Sequence, residues 1–304
     1  MSDIEAPERI EVVDIDIKAW VEAAAHDPVA YRDRQVAEIV LTAIGAAPNL
    51  KDTLVLKGGT LMALAFDSRR LTADVDFTAL VGPEKFDDLL SGELNDLLPR
   101  TAIELGYLDL VCRVQSIRKL PRPQNFEAMN FPALLVRIGS ALRHTPEERR
   151  LEEGQAPRVI DMEISFRDQV YTTQDLHLTD AGVAIRAFTI HELIAEKFRA
   201  LLQQPIRNRN RRQDVYDIAF LISAHPMTDE DRAVIHDILL EKCASRDIRP
   251  DIDALENPEV VRRAAAEWDT LRLEVADLPP FAERFALTAD LYRSLPWATS
   301  VKAG

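Results

Sequence analysis

The chain has 304 residues, 47% apolar and 29% charged, with 37 basic and 51 acidic side chains and a formal net charge of −14. These are the proportions of a globular protein large enough for one big domain or two ordinary ones. The acidic balance speaks against a simple nucleic-acid binder, whose surface is usually basic overall, while leaving room for a local basic site. Cys112 and Cys243 lie far apart and supply neither a disulfide framework nor a metal-binding spacing, as suits a reducing cytosol. The opening residues Met1-Ser2-Asp3-Ile4-Glu5 lack the basic and apolar regions of a signal peptide. No apolar stretch reaches membrane-spanning length, so a cytoplasmic protein without membrane contact is expected.

In chain order, residues 14–47 read as helices, with Ile15, Ile17, Trp20 and Val21, then Val36, Ile39, Val40, Leu41 and Ile44, at helical spacing. Leu54, Val55 and Leu56 form a strand-like run that ends at Gly58-Gly59, where backbone N–H groups can face a phosphate. Leu61, Met62, Leu64, Ala65 and Phe66 then suit a short helix on a sheet. In Asp74-Val75-Asp76-Phe77 the period-2 alternation throws both carboxylates onto one face and both apolar side chains onto the other. Adjacent carboxylates repel, so the pair calls for a divalent cation between them. Oxygen ligands, few in number and completed by substrate phosphates, suit Mg²⁺, with Mn²⁺ as the alternative.

A helix is expected over 86–98, followed by strands over 108–116, 133–140 and 158–166, so a mixed sheet is more natural than a purely parallel one. In the last of these, Asp161, Glu163 and Ser165 alternate with Ile160, Met162, Ile164 and Phe166. A third carboxylate on a neighbouring strand would bind a metal near an attacking hydroxyl, or accept its proton. After Asp180-Ala181-Gly182 the pattern turns helical, near 190–204, 213–224, 229–244, 259–269 and 280–294. The expected domains are therefore 1–185 and 186–304.

Thr189-Ile190-His191-Glu192 has the form of a capping box. On the helix it opens, Lys197 falls on or beside the stripe of Leu193, Ile194, Phe198 and Leu201, where a lysine either snorkels to solvent or reaches an anion. Asp214 and Asp217 share one side of the next helix's first turn, a favoured place for acids. Between the two helices lie Arg207, Arg209, Arg211 and Arg212, a basic loop suited to RNA or triphosphate. A second basic cluster, Arg113, Arg118, Lys119 and Arg122, reads equally well as a solvated turn. The six histidines show no metal-ligand spacing.

Taken together, Lys57-Gly58-Gly59-Thr60 and Arg70-Leu71-Thr72-Ala73-Asp74-Val75-Asp76-Phe77 resemble the signature of the polymerase-beta-type nucleotidyltransferases. The fuller pattern is similar to the AbiEii branch, toxins of type IV toxin–antitoxin systems that include the mycobacterial-type tRNA nucleotidyltransferases. A lysine before Gly58 and a long spacer to Asp74 depart from the superfamily and fit that branch. The resemblance implies an α/β fold: a nucleotidyltransferase lobe with a mixed sheet, then an all-helical lobe. It implies that Gly58, Gly59, Thr60 and Lys197 hold an NTP triphosphate, with Lys57 and Arg70 in support, and that Asp74 and Asp76 carry the metal. It selects Glu163 over Asp161 as the third carboxylate and Asp214 over Asp217 as the functional acid of the last motif, where Gln213 replaces a usual basic residue. The implied acceptor is RNA, the 3′ end of tRNA, whose blockage would stop translation, and a cognate antitoxin is the expected partner. Two rivals stand beside this reading: transfer to a protein hydroxyl, and a non-catalytic regulatory module on the same fold.

Overall fold

The computed structural model describes residues 8–72 and 74–297. Its contacts divide into two compact units, one comprising the described residues through Asp67 with Thr72–Phe188, the other Ser68–Leu71 with the described residues from Thr189 onward.

The first unit is built on one sheet of eight strands: β1 (Glu8–Ile15), β2 (Leu54–Lys57), β3 (Val75–Ala79), β4 (Leu110–Leu120), β5 (Ala133–Leu142), β6 (Arg158–Phe166), β7 (Thr172–Leu178) and β8 (Val183–Phe188). Their order across the sheet is β1-β7-β8-β2-β3-β6-β5-β4. Pairing is mixed: β1/β7, β2/β8 and β3/β6 run parallel, whereas β2/β3, β4/β5, β5/β6 and β7/β8 run antiparallel. Leu54, Leu56, Val75, Phe77, Met162 and Ile164 are fully buried. Each such side chain contributes about 1.5–3 kcal/mol by leaving water.

Among the described residues five α-helices complete this unit: α1 (Ile17–Glu22), α2 (Pro28–Ala46), α3 (Gly58–Ala65), α4 (Phe86–Glu104) and α5 (Pro146–Glu152). Asp27 caps α2 by accepting from the N–H groups of Val29 and Ala30, and Pro28 occupies the first helical position where no N–H is needed. α2 packs on α4 and β8, and α4 on β4. Strands β1, β7 and β8 and helix α5 are absent from the sequence reading, which gave residues 14 and 15 to a helix. β1 is an edge strand on which Glu8, Glu11 and Val12 are all exposed, so no alternation marks it. In β7 the polar Thr173 and Gln174 are buried, Gln174 donating to the Phe188 carbonyl, and this hides the strand from a hydrophobicity pattern.

The second unit is helical: α6 (Ile190–Arg207), α7 (Arg212–Ala224), α8 (Asp229–Ala244), α9 (Pro258–Ala265) and α10 (Phe281–Arg293). The helix expected over 259–269 ends at Ala265, and a 3-10 turn at Trp268–Leu273 follows it. Thr189 caps α6 by accepting from the Glu192 N–H. The Glu192 carboxylate is buried against the Lys242 ammonium at 2.7 Å, a partner that the local capping pattern does not announce. Phe198 meets Tyr292 edge-on, with centroids 5.2 Å apart, in the core between α6 and α10. Among the described residues no helix is long and apolar enough to cross a membrane.

Candidate active site

In the first unit the motif residues converge on the strand pair β3/β6. Val75 and Phe77 are fully buried, while Asp74 and Asp76 keep contact with solvent on the opposite face. Across the ladder Asp76 faces Glu163, and the next pair, Val75 with Met162, sets Asp74 beside Asp161. Four carboxylates thus share one face of two neighbouring strands. On the next strand Arg137 faces Asp161 and pairs with it at 3.3 Å.

The charges on this face are not evenly compensated. Although Asp74 keeps solvent contact, its carboxyl titrates above the usual carboxylate range, first through lost hydration and then through the negative charges of Asp161 and Glu163. Replacing Glu163 with glutamine removes one of those charges, so the Asp74 pKa is expected to fall toward its ordinary value. Carboxyl ¹³C NMR titration of the two proteins measures this directly, and an unchanged Asp74 curve would contradict the arrangement.

Gly58 opens α3 with φ of +73°, a conformation in which a side chain is strained. A Cβ built there would lie 2.1 Å from Asp76 Oδ2, so the carboxylate occupies space that any other residue would fill. Gly59 follows, partly exposed, in the same first turn. Thr60 is buried, and its hydroxyl donates to the Asp74 carbonyl at 2.7 Å. That bond spends the hydroxyl on fixing the entry to β3, so in this structure Thr60 serves Asp74's backbone.

Lys57 faces Asp76 in the antiparallel β2/β3 register. Its ammonium crosses to the far side of β3, donating to Ser165 Oγ at 2.6 Å and to Asp168 Oδ2 at 3.4 Å. Ser165 lies on the same face as Glu163 by the period of two, which was the one sequence signal for it. Asp168, past the end of β6, gave none.

Among the described residues no group of three or more His, Cys, Asp or Glu side chains converges as a metal cage. A cation held by Asp74 and Asp76 would therefore draw its remaining ligands from water and phosphate, which is how Mg²⁺ is commonly bound. The oxygen-only donors, and the neighbouring carboxylates that add to desolvation in raising Asp74, fit that ion. Glu163 shares the face without closing a three-ligand cluster with them.

The other motif residues belong to the second unit and form a separate, largely buried ion network. Lys197 is buried, not snorkelling, and its ammonium donates to Asp214 Oδ1 at 3.0 Å and to Asp217 Oδ2 at 2.7 Å. Arg70 forks onto Asp217, at 3.0 and 3.3 Å, and reaches Glu274 at 2.8 Å. Gln213 also donates to Glu274, at 3.0 Å. Burial opposes the charge on Asp217, but Lys197 and Arg70 more than offset it and hold the carboxyl below its usual range. The same pairing outweighs desolvation of Lys197 and raises its pKa. Asp217 is the fully buried centre of this network, while Asp214 sits nearer solvent, 3.9 Å from the Arg211 guanidinium. Of the basic loop, Arg207 and Arg209 are exposed, and Arg212 pairs with Glu267 at 3.4 Å.

The mixed eight-stranded sheet with its helices is an α/β fold similar to that of nucleotidyltransferase toxins. The chain shares that fold with MenT4, a nucleotidyltransferase toxin from Mycobacterium tuberculosis, at a TM-score of 0.51 and 18% identity over 92% of this chain and 89% of that one. The protein JHP933 from Helicobacter pylori is similar at a TM-score of 0.52 and 15% identity, over 88% and 92% of the two chains. Comparison with curated protein sequences gives no match. Residues 39–288 match the family described as nucleotidyl transferase AbiEii toxin, type IV toxin–antitoxin system, and the chain belongs to that family.

Proposed function

We propose that this toxin-family member transfers a nucleotide from an NTP to an RNA acceptor, the 3′ end of tRNA, in a Mg²⁺-dependent reaction. The observation that carries the reading is the carboxylate face, where Asp74 and Asp76 stand beside Gly58 with the charge of Asp161 and Glu163 pressing on Asp74. When bound there, Mg²⁺ would neutralise charge on the triphosphate and polarise the α-phosphate. In the transfer the acceptor hydroxyl oxygen bonds to the α-phosphorus, the bond to the β-phosphate oxygen breaks, and pyrophosphate leaves. Glu163, exposed on the same face, is the candidate to take the hydroxyl proton. Lys57 supplies a fixed positive charge for the phosphates, and positioning with charge neutralisation provides most of the rate.

Arg207 and Arg209 are exposed on a chain of net charge −14, and they support RNA as acceptor by offering a local phosphate contact. The acidic remainder favours the second reading, transfer to a protein hydroxyl. Digestion of the labelled product separates the two: ribonuclease sensitivity supports RNA, and protease sensitivity supports protein. Induction without an antitoxin is expected to arrest growth, and unchanged growth would count against the toxin reading.

A further inference from the structure

The Lys57 ammonium is held in an unusual way for a lysine on a polar sheet face. An ammonium only donates hydrogen bonds, so Ser165 Oγ must be the acceptor in their 2.6 Å contact. The Ser165 proton is then directed elsewhere, to the Phe77 carbonyl at 3.3 Å or to Thr78 Oγ1 at 3.1 Å. Thr78 is fully buried and Phe77 is core, so this end of the chain of hydrogen bonds is anchored in the sheet itself. Asp168 takes a second ammonium proton at 3.4 Å, and its side chain is only 12% exposed. The third proton has no hydrogen-bond partner among the described residues.

We infer that Ser165 and Asp168 are positioning residues that hold the Lys57 ammonium on the carboxylate face with one donor left for a nucleotide phosphate. The cradle solves an electrostatic problem. Lys57 lies opposite Asp76 in register, and an untethered ammonium could turn to that carboxylate instead of to a phosphate. Drawn across β3 to Ser165, it stays on the face without being spent there. The inference rests on the proposed nucleotide transfer and assigns two residues that the family motifs do not mark.

The test measures binding of each NTP with Mg²⁺ by calorimetry, alongside transfer kinetics, for the wild type and for Ser165→Ala, Ser165→Thr and Asp168→Asn. Loss of one oriented hydrogen bond is expected to weaken NTP binding and raise KM about tenfold in Ser165→Ala, with kcat changed much less. Ser165→Thr keeps a hydroxyl and is expected to restore wild-type KM, while Asp168→Asn should fall between. A merely structural serine would lower thermal stability and leave KM unchanged, and that result overturns the inference while sparing the proposed function. Absence of NTP binding by the wild type would overturn both. If Ser165→Ala fails to fold, Asp168→Asn with unchanged NTP binding decides against the cradle.

Discussion

Replacement of Asp76 with asparagine is expected to reduce nucleotide transfer by about three orders of magnitude while the protein stays folded. The size follows from the role: losing a group that stabilises charge in the transition state typically costs about 10²–10³-fold, and here it also removes half of the carboxylate pair. Asparagine keeps the shape that fits against Gly58, where a Cβ would meet Asp76 Oδ2 at 2.1 Å, so no steric change accompanies the loss of charge. It also relieves repulsion with Glu163 across the β3/β6 ladder. The melting temperature should accordingly move by no more than a few degrees, since about 1 kcal/mol shifts a chain of this size by roughly 2–4 °C. Transfer assays and a thermal melt on the same preparation check both halves of the expectation.

The largest effect on stability is expected at Asp217. Its side chain is fully buried and bonds to Lys197 at 2.7 Å and to Arg70 at 3.0 Å, so alanine would leave two largely buried cations under-compensated, Lys197 with Asp214 and Arg70 with Glu274. Breaking a buried ion pair from one side costs about 3–5 kcal/mol, a large part of a typical total of about 5–15 kcal/mol. Asp214→Ala should cost less, because Asp214 is nearer solvent and Lys197 would keep Asp217. The pH dependence has a definite sign. Asp217 is held below the usual carboxylate range in the folded state, so its contribution is fully present above its unfolded value of about 3.9. It is lost as pH falls from there through the lower folded value. Urea unfolding midpoints measured downward from pH 6 should show an acid limb in the wild type that Asp217→Asn flattens. A limb of equal steepness in both proteins would place acid sensitivity elsewhere.

What the sequence disclosed depended on distance along the chain. Asp74-Val75-Asp76-Phe77 and Ile160–Phe166 announce their two faces because strand geometry converts a period of two into burial directly, and Val75, Phe77, Met162 and Ile164 are fully buried. Lys197 could be placed on its apolar stripe, but its fate could not be read there. A lysine at that position snorkels unless a counter-charge waits inside, and the counter-charges, Asp214 and Asp217, come from α7, with Asp217 held in turn by Arg70, 147 residues away in sequence. Glu192 shows the same limit: local sequence offers it to a helix cap, whereas the fold brings Lys242 against it. Thr60 invites a phosphate in the motif, and only the turn into β3 reveals that its hydroxyl is taken by the Asp74 carbonyl. The strands that escaped notice, β1, β7 and β8, are those in which polar residues are buried or apolar ones exposed, as with Thr173 and Val12.

The most direct measurement incubates the purified protein with each α-labelled NTP, Mg²⁺ and total tRNA, beside Asp76→Asn. The account predicts a labelled tRNA band with at least one nucleotide, present in the wild type and lost in the variant. Label in tRNA that persists undiminished without Asp76, or no label in tRNA with any nucleotide, would contradict it.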